Sequence, residues 1–336
     1  MPILTPVPRG YPVLWFLRLQ AFTRLSATML SSIFCLALLM LFWGCGAFSS
    51  TLAEPWGESA RLQVLGLVLF YSIIAPYMLG FMIYSIRLSE KTLDSLREHL
   101  DYDDEQHAQW RNSFSQHPQG LLILFGFVGA LIALPVSGTA LFHLNLLNIG
   151  IVLGNVIVWV LALQATFILT RNMYVFTIVA RAHLKVNLWR LEALSPFVHI
   201  GIQSILLEIS ALALLPLQAV DLQFRLHNYL PGLLLGVPIA ITLLILPIWG
   251  MHRRIVETKQ AELERVQGML EEKQGAGAPA YEAMVEINVL ADYKARLKAL
   301  PAWPVELPDV YRLGFYIIIP PVSWTGSALM QRLLVS

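Results

Sequence analysis

Six stretches of mostly apolar residues constrain this chain more than any other feature of its sequence. They cover residues 29–48, 62–86, 121–142, 146–169, 197–217 and 230–250. A helix rises about 1.5 Å per residue, so each stretch is long enough to cross a hydrocarbon core of about 30 Å. Only 13% of the residues are charged, which is far below the fraction of a soluble domain. The sequence therefore predicts an all-α integral membrane protein with six transmembrane helices.

The positive charges that flank these stretches are unevenly distributed. Of the 23 Lys and Arg residues, 20 lie before the first stretch, in the loops after the second and fourth, or between the sixth and residue 312. The intervening loops hold only Arg61 and Arg225, and Arg332 belongs to neither group. By the positive-inside rule, the N-terminus and the long loops are cytoplasmic. The chain also lacks N-x-S/T glycosylation acceptors, and we expect it in a bacterial inner membrane.

The first 28 residues are predicted to form an interfacial amphipathic segment. Leu14, Leu17, Ala21 and Leu25 fall on one helical face, and Arg18 lies off that face. This segment is long, and the apolar run after it lacks a small-residue cleavage site. We therefore expect the first apolar stretch to be a retained transmembrane helix and not a cleaved signal peptide.

The remaining segments predict helices that continue beyond the membrane. Helical patterns extend through residues 87–118 and 170–196, and an antiparallel hairpin is expected over 251–300, broken near Gly275. Residues 301–312 contain three prolines and predict an extended connector back to the membrane. The six spans form a bundle over residues 29–250. The helical extensions and the hairpin together predict a helical domain on its cytoplasmic side.

Glu208 is the only charged residue of the fifth apolar stretch. An ionisable side chain at membrane depth is by default a functional hypothesis, because its burial costs about 2.5 kcal/mol or more. Ser204 lies one turn away on the same face, and Asn155 and Gln164 belong to the fourth stretch. Two interpretations stay open: a protonatable or cation-coordinating group on a pathway, or a protonated Glu208 that bonds to Asn155 or Gln164 and joins two helices.

The segment at 101–107, DYDDEQH, is the densest group of potential metal ligands. It lacks the turn glycine and the twelfth-position glutamate of a calcium loop. The favoured interpretation is a solvated turn in which an aspartate caps the next helix, and the weaker ones are divalent-ion binding or partner docking. The residues concerned are Asp101, Asp103, Asp104, Glu105 and His107. We expect no metal and no cofactor.

The last 24 residues, 313–336, are apolar but contain Pro320 and Pro321. A proline pair disfavours continuous helix and predicts a hinge between two shorter pieces. In the second piece Ser323, Ser327 and Gln331 recur every fourth residue, which is the spacing of a pore-lining face. A broken seventh membrane-inserted segment is favoured by length and by this stripe. A re-entrant or interfacial helix is the alternative, and Arg332 at its end favours it.

No catalytic or nucleic-acid-binding motif is present, so we expect neither an enzyme nor a nucleic-acid partner. Short outer loops and inward-projecting helices favour a homo-oligomeric channel or receptor-channel. This layout resembles that of the seven-span insect chemoreceptor channels, which implies an intracellular helical anchor and a last span that lines a shared pore. The resemblance assigns no residue roles. The alternative is a membrane scaffold whose 251–300 hairpin recruits a cytoplasmic protein, and a secondary transporter is less favoured because no inverted repeat is visible.

Overall fold

The computed structural model describes residues 13–49, 53–138, 145–219, 226–275 and 281–303, and six single positions between 311 and 326. Within these ranges the chain forms α-helices joined by short turns and 3-10 segments, with no β-strand. The helices are α1 (Trp15–Thr23), α2 (Ala27–Gly44), α3 (Ala53–Ser95), α4 (Asp104–Ser115), α5 (Gln119–Val136), α6 (Leu146–His183), α7 (Ser195–Ala213), α8 (Leu226–Gly275) and α9 (Tyr281–Ala299).

Six of these helices, α2, α3, α5, α6, α7 and α8, are long and apolar enough to cross a membrane. They coincide with the six predicted stretches, and this part of the prediction is confirmed. Many of their large apolar side chains point away from the bundle. Met40 on α2 and Ile123 on α5, for example, are 66% and 69% exposed. Such an outward apolar surface is suited to lipid and unfavourable in water, which supports a multi-pass integral membrane protein.

Two helix ends differ from the predicted boundaries. The first apolar stretch was predicted to reach residue 48, but α2, which Ser26 caps after Arg24 (φ 56°) ends α1, stops at Gly44. The third apolar stretch was predicted to reach residue 142, but α5 ends at Val136. Pro135 in its last turn and Gly138 at φ 56° stop the helix there. Residues 139–144 lie outside the described ranges.

The helices α3, α6 and α8 are much longer than a bilayer requires. They contain 43, 38 and 50 residues, or about 57 to 75 Å at 1.5 Å per residue. The segments that follow α3 and α6 are joined by main-chain hydrogen bonds. Asp101 N donates to His183 O at 2.7 Å, and Lys185 N donates to His99 O at 2.9 Å. We call this side of the bundle, where α3 and α6 finish, the inner end; the sequence predicts that it faces the cytoplasm.

The distal part of α8 packs antiparallel against α9. Lys259 Nζ donates to the carbonyls of Lys298 and Leu300, and the Tyr293 hydroxyl donates to Glu262 at 3.2 Å. The contacting face buries the apolar side chains Val266, Leu270 and Leu297. These paired helices occupy the region for which the sequence predicts a hairpin, and their cytoplasmic location stays a prediction.

The structure describes only isolated positions of the C-terminal segment. Gly314, Phe315, Ile318, Val322 and Gly326 are helical. The predicted hinge, Pro320 and Pro321, lies outside the described residues. So do the predicted pore-lining residues Ser323, Ser327 and Gln331. The seventh segment therefore stays a prediction.

Candidate functional site

A cavity of about 600 Å³ lies inside the bundle, between α3, α6, α7, α8 and the end of α5. Small residues on its walls leave this space open: Ala162 and Ala165 on α6, Ala211 on α7 and Gly232 on α8. The volume falls within the range of about 300 to 1,000 Å³ that is typical of small-molecule sites. The cavity is therefore the strongest candidate for a binding site in the described part of the chain.

Most of the cavity wall is apolar or aromatic, and a few polar groups interrupt it. The polar side chains come from three helices, α3, α6 and α7, and from the segments that follow α5 and α7. They are Gln63, Tyr71, Ser137, Asn155, Trp159, Thr166, Glu208 and Gln218. An apolar wall with few polar groups suits a molecule that is apolar over most of its surface and polar at one end.

Glu208 is the only acidic or basic side chain among the described residues that line the cavity. Its side chain is half-buried, because the cavity gives it local accessibility within an otherwise packed helix. No ion pair or hydrogen bond joins its carboxylate to another described residue. A carboxyl group in this position is available to a ligand, a proton or water.

Asn155 and Gln164 do not bond to Glu208 in this structure. Asn155 Nδ2 donates to Ala133 O and to Ser137 Oγ, each at 2.9 Å. Gln164 Nε2 donates to Leu122 O at 3.3 Å. Both amides therefore join α6 to α5, and the alternative in which one of them holds a protonated Glu208 is not observed.

The four polar residues that the sequence singled out divide into two pairs. Asn155 and Glu208 line the cavity, whereas Ser204 and Gln164 do not. Ser204 is buried one turn from Glu208, and its hydroxyl donates to Ile200 O at 2.8 Å. Ser204 therefore lies behind the cavity wall, and Glu208 is the ionisable side chain that faces the cavity.

Tyr77 connects α3 to α7 beside Glu208. Its hydroxyl donates to the carbonyl oxygen of Leu207 at 2.9 Å. This long-range bond fixes the part of α7 that carries Glu208 relative to the cavity wall formed by α3.

Sequence reasoning missed Trp159 and Thr166, which the structure places in the cavity wall. A signal for both was present. Asn155, Trp159, Ala162 and Thr166 follow the spacing i, i+4, i+7, i+11, which is one face of a helix. The whole face, Asn155 with its neighbours Trp159, Ala162 and Thr166, indicates a cavity wall better than Asn155 alone.

The acidic side chains of the DYDDEQH segment take part in a helix cap and in ion pairs. Asp103 caps α4 by accepting from Gln106 N at 2.7 Å, as predicted. Asp101 pairs with Lys185 at 3.0 Å, and Asp104 pairs with Arg97 at 2.8 Å. The hydrogen bond from Arg97 lowers the pKa of the Asp104 carboxyl. Within the described ranges, no three His, Cys, Asp or Glu residues gather closely enough to hold a metal ion.

The carboxylates and the histidine of this region instead take part in a network at the inner end. His107 Nδ1 lies 3.2 Å from the Tyr102 hydroxyl, and the Arg97 guanidinium lies over the Tyr102 ring. Burial raises the pKa of Tyr102 above its ordinary value. Glu105 interacts with Gln109 on the exposed side of α4. The network orders the turn between α3 and α4 and leaves no vacant set of ligands.

Comparisons with protein-family models, with curated proteins and with solved structures found no match for this chain.

Proposed function

We propose that this protein is a membrane-embedded receptor whose bundle cavity binds a small molecule with an apolar body and one cationic amine. The observation that carries the proposal is the pairing of a cavity of about 600 Å³ with a single carboxylate, Glu208. We further propose that the receptor forms a homo-oligomeric channel in a bacterial inner membrane, with its N-terminus in the cytoplasm. The short predicted outer loops and the distribution of positive charge support that arrangement.

The chemistry of the cavity supports an amine as the polar end of the ligand. An unpaired carboxylate in an apolar environment is unfavourable, and an opposite charge placed beside it offsets the loss of solvation. Aromatic walls such as Tyr71 and Trp159 also attract a cation through their π faces. A neutral ligand of equal size gains only the apolar contacts.

The direct test measures binding of a hydrophobic amine and of a neutral molecule of the same shape. The full-length protein in nanodiscs is titrated with each compound, and the dissociation constant and the rise in Tm are recorded. We expect the wild-type protein to bind the amine at least tenfold more tightly, which corresponds to about 1.4 kcal/mol. Glu208→Gln should reduce the ratio of the two dissociation constants to near one, and it should leave the affinity for the neutral compound unchanged.

Two variants serve as controls. Ser204→Ala changes a hydroxyl on the same helix but outside the cavity, and it should keep the preference for the amine. Ala162→Phe fills part of the cavity, and it should weaken binding of both compounds. Equal affinity of the wild-type protein for the amine and the neutral compound would contradict the role of Glu208.

The channel part of the proposal has a separate test. The oligomeric state of the purified protein is measured by mass photometry, and ion flux is measured in liposomes with and without the bound amine. We expect a closed oligomer and an amine-dependent flux. A strictly monomeric protein would exclude a shared pore and would leave the scaffold alternative, in which the α8–α9 pair binds a partner.

A further inference from the structure

A second cavity, of about 400 Å³, opens between α1 and the inner end of α3. Leu17 and Ala21 of α1, Leu25 of the α1–α2 turn and Ile86 of α3 form its apolar surface. Its polar side chains are Gln20, Arg24, Arg87 and Glu90. This cavity is distinct from the one that contains Glu208, and the proposed receptor function makes no use of it.

Antiparallel packing of α2 and α3 brings Arg24 and Arg87 to the same cavity. The helices α2 and α3 are in close contact, since a Cβ atom at Gly80 would lie 2.7 Å from Ser31 Oγ. Arg24 precedes Ser31 by seven residues, and Arg87 follows Gly80 by seven residues. Antiparallel packing of α2 and α3 therefore brings both arginines to the inner end of the bundle, about 10 Å beyond the contact.

A buried glutamine fixes one of these arginines. Gln20 is 7% exposed, and its Oε1 accepts a hydrogen bond from Arg87 Nη2 at 2.8 Å. Its Nε2 donates to the carbonyl of Leu25 at 3.2 Å, in the turn between α1 and α2. Because Gln20 is neutral, it positions the Arg87 guanidinium without neutralising it.

The charge in this cavity is positive. Neither Arg24 nor Arg87 forms an ion pair within hydrogen-bond distance of a described carboxylate, and both side chains are exposed. Glu90 is the only carboxylate of the cavity, and it also faces Arg111 of α4 at 3.9 Å. Two guanidinium groups thus share one carboxylate that is already attracted to a third cation.

The surroundings place this positive cavity at a membrane surface. Trp15 and Phe22 of α1 are 51% and 88% exposed, beside an apolar bundle that requires lipid contact. Exposed aromatic residues beside an apolar bundle are typical of the interfacial zone. The inner end is also the predicted cytoplasmic side, and on that side basic pockets between membrane helices bind anionic lipid headgroups.

We infer that Arg24 and Arg87 bind a phosphate group at this cavity, and that the phosphate is the headgroup of an anionic phospholipid whose acyl chain lies along Leu17, Leu25 and Ile86. Guanidinium groups present paired N–H donors that match phosphate oxygens. The apolar residues of the cavity distinguish a lipid from a free phosphate ion, which has no apolar part to bury.

The test measures lipid retention by native mass spectrometry of the full-length protein. The protein is exchanged into detergent that contains phosphatidylglycerol, phosphatidylcholine or inorganic phosphate alone. We expect retention of phosphatidylglycerol at least tenfold above phosphatidylcholine, and no rise in Tm with inorganic phosphate at millimolar concentration. The double variant Arg24→Gln with Arg87→Gln should lose the preference for phosphatidylglycerol.

Arg18→Gln provides the matched control. Arg18 is an exposed arginine of α1 that does not line the cavity, and its substitution should leave the preference unchanged. If the double variant does not fold, Arg24→Gln alone should still fold and lower retention, because no hydrogen bond or ion pair of the Arg24 side chain joins two helices among the described residues. Equal stabilisation by inorganic phosphate would show a soluble phosphate ligand and overturn the lipid assignment. Equal retention of both lipids by the wild-type protein would overturn the site.

Discussion

The Nε2 atom of His107 lies 2.9 Å from the Asp94 carboxylate, and this contact joins the first turns of α4 to the last turn of α3. The other ring nitrogen of His107 faces the Tyr102 hydroxyl, and Asp94 also contacts Arg111 Nε at 3.4 Å. A single histidine therefore connects both sides of the turn that ends α3. The segment after α3 is also hydrogen-bonded to the end of α6 and the residues that follow it.

The first prediction concerns this contact. Asp94→Asn removes the charge that attracts Arg111 and weakens the hydrogen bond to His107, so it should lower the stability of the protein. The groups are partly exposed, and we expect a loss of about 1 kcal/mol, seen as a fall of a few degrees in Tm. Glu98→Gln changes an exposed carboxylate in the same turn and should leave Tm unchanged. Equal Tm values for the Asp94 and Glu98 variants would show that the network does not stabilise the inner end.

The second prediction concerns pH and His117, which lies in the turn between α4 and α5. Its ring is fully buried against Phe167, and neither nitrogen has a hydrogen-bond partner among the described residues. The backbone of Ile168 lies beside the ring but outside hydrogen-bond geometry. Burial, with a smaller effect of the Arg171 charge, lowers the pKa of His117 to about 3.

The sign of the pH effect follows from this shift. Below pH 6.5 the unfolded chain protonates His117 while the folded protein does not, so stability falls as the pH decreases toward 3. The slope is at most about 1.4 kcal/mol per pH unit. His117→Phe fills the same space without a titrating group, and it should be at least as stable as wild type at pH 7.5 and less sensitive to acid.

Tm scans of both proteins at pH 7.5 and pH 5 measure this difference. Phe167→Leu alters the ring that packs on His117 but removes no titrating group, so it should shift Tm equally at both pH values. A wild-type protein and a His117→Phe variant with the same pH dependence would show that folding does not lower the pKa of His117.

The third prediction concerns the closest approach of α5 and α6. A Cβ atom at Gly129 would overlap the backbone carbonyl of Trp159, which cannot move without shifting α6. Gly129→Ala should therefore destabilise the bundle by about 1 to 3 kcal/mol. Gly120→Ala, on the same helix, meets no atom within 4 Å and should keep or slightly raise Tm. A thermal unfolding series compares the two variants, and equal Tm values would mean that the two helices are less closely packed.

The fourth prediction concerns the C-terminal segment. If residues 313–336 form a broken seventh span, a reporter fused after Ser336 lies outside the cytoplasm. We expect alkaline phosphatase to be active there and green fluorescent protein to be dark. The opposite pattern would place the C-terminus in the cytoplasm and favour a re-entrant or interfacial helix. A reporter pair in the α6–α7 turn, at Asn187, should give the cytoplasmic pattern and serves as the reference.

The six spans could be predicted because hydropathy is a local property and a bilayer fixes the minimum length of a helix. The cap at Asp103 followed from local chemistry in the same way. The partners of Asn155 could not be predicted, because they depend on the register of α6 against α5. A shift of one turn would have brought another carbonyl to the amide in place of that of Ala133. The cavity likewise depends on how four helices pack, and only the periodic face of α6 indicated it.

The main-chain bonds between the segments after α3 and α6 have a consequence for sequence change. Asp101 and Lys185 donate through their backbone nitrogens, so the connection needs no particular side chain at either position. Every residue except proline supplies the same donor. Divergent versions of this chain are thus free to exchange these residues and still hold α3 and α6, two walls of the cavity, in register, provided that the lengths of both turns are kept.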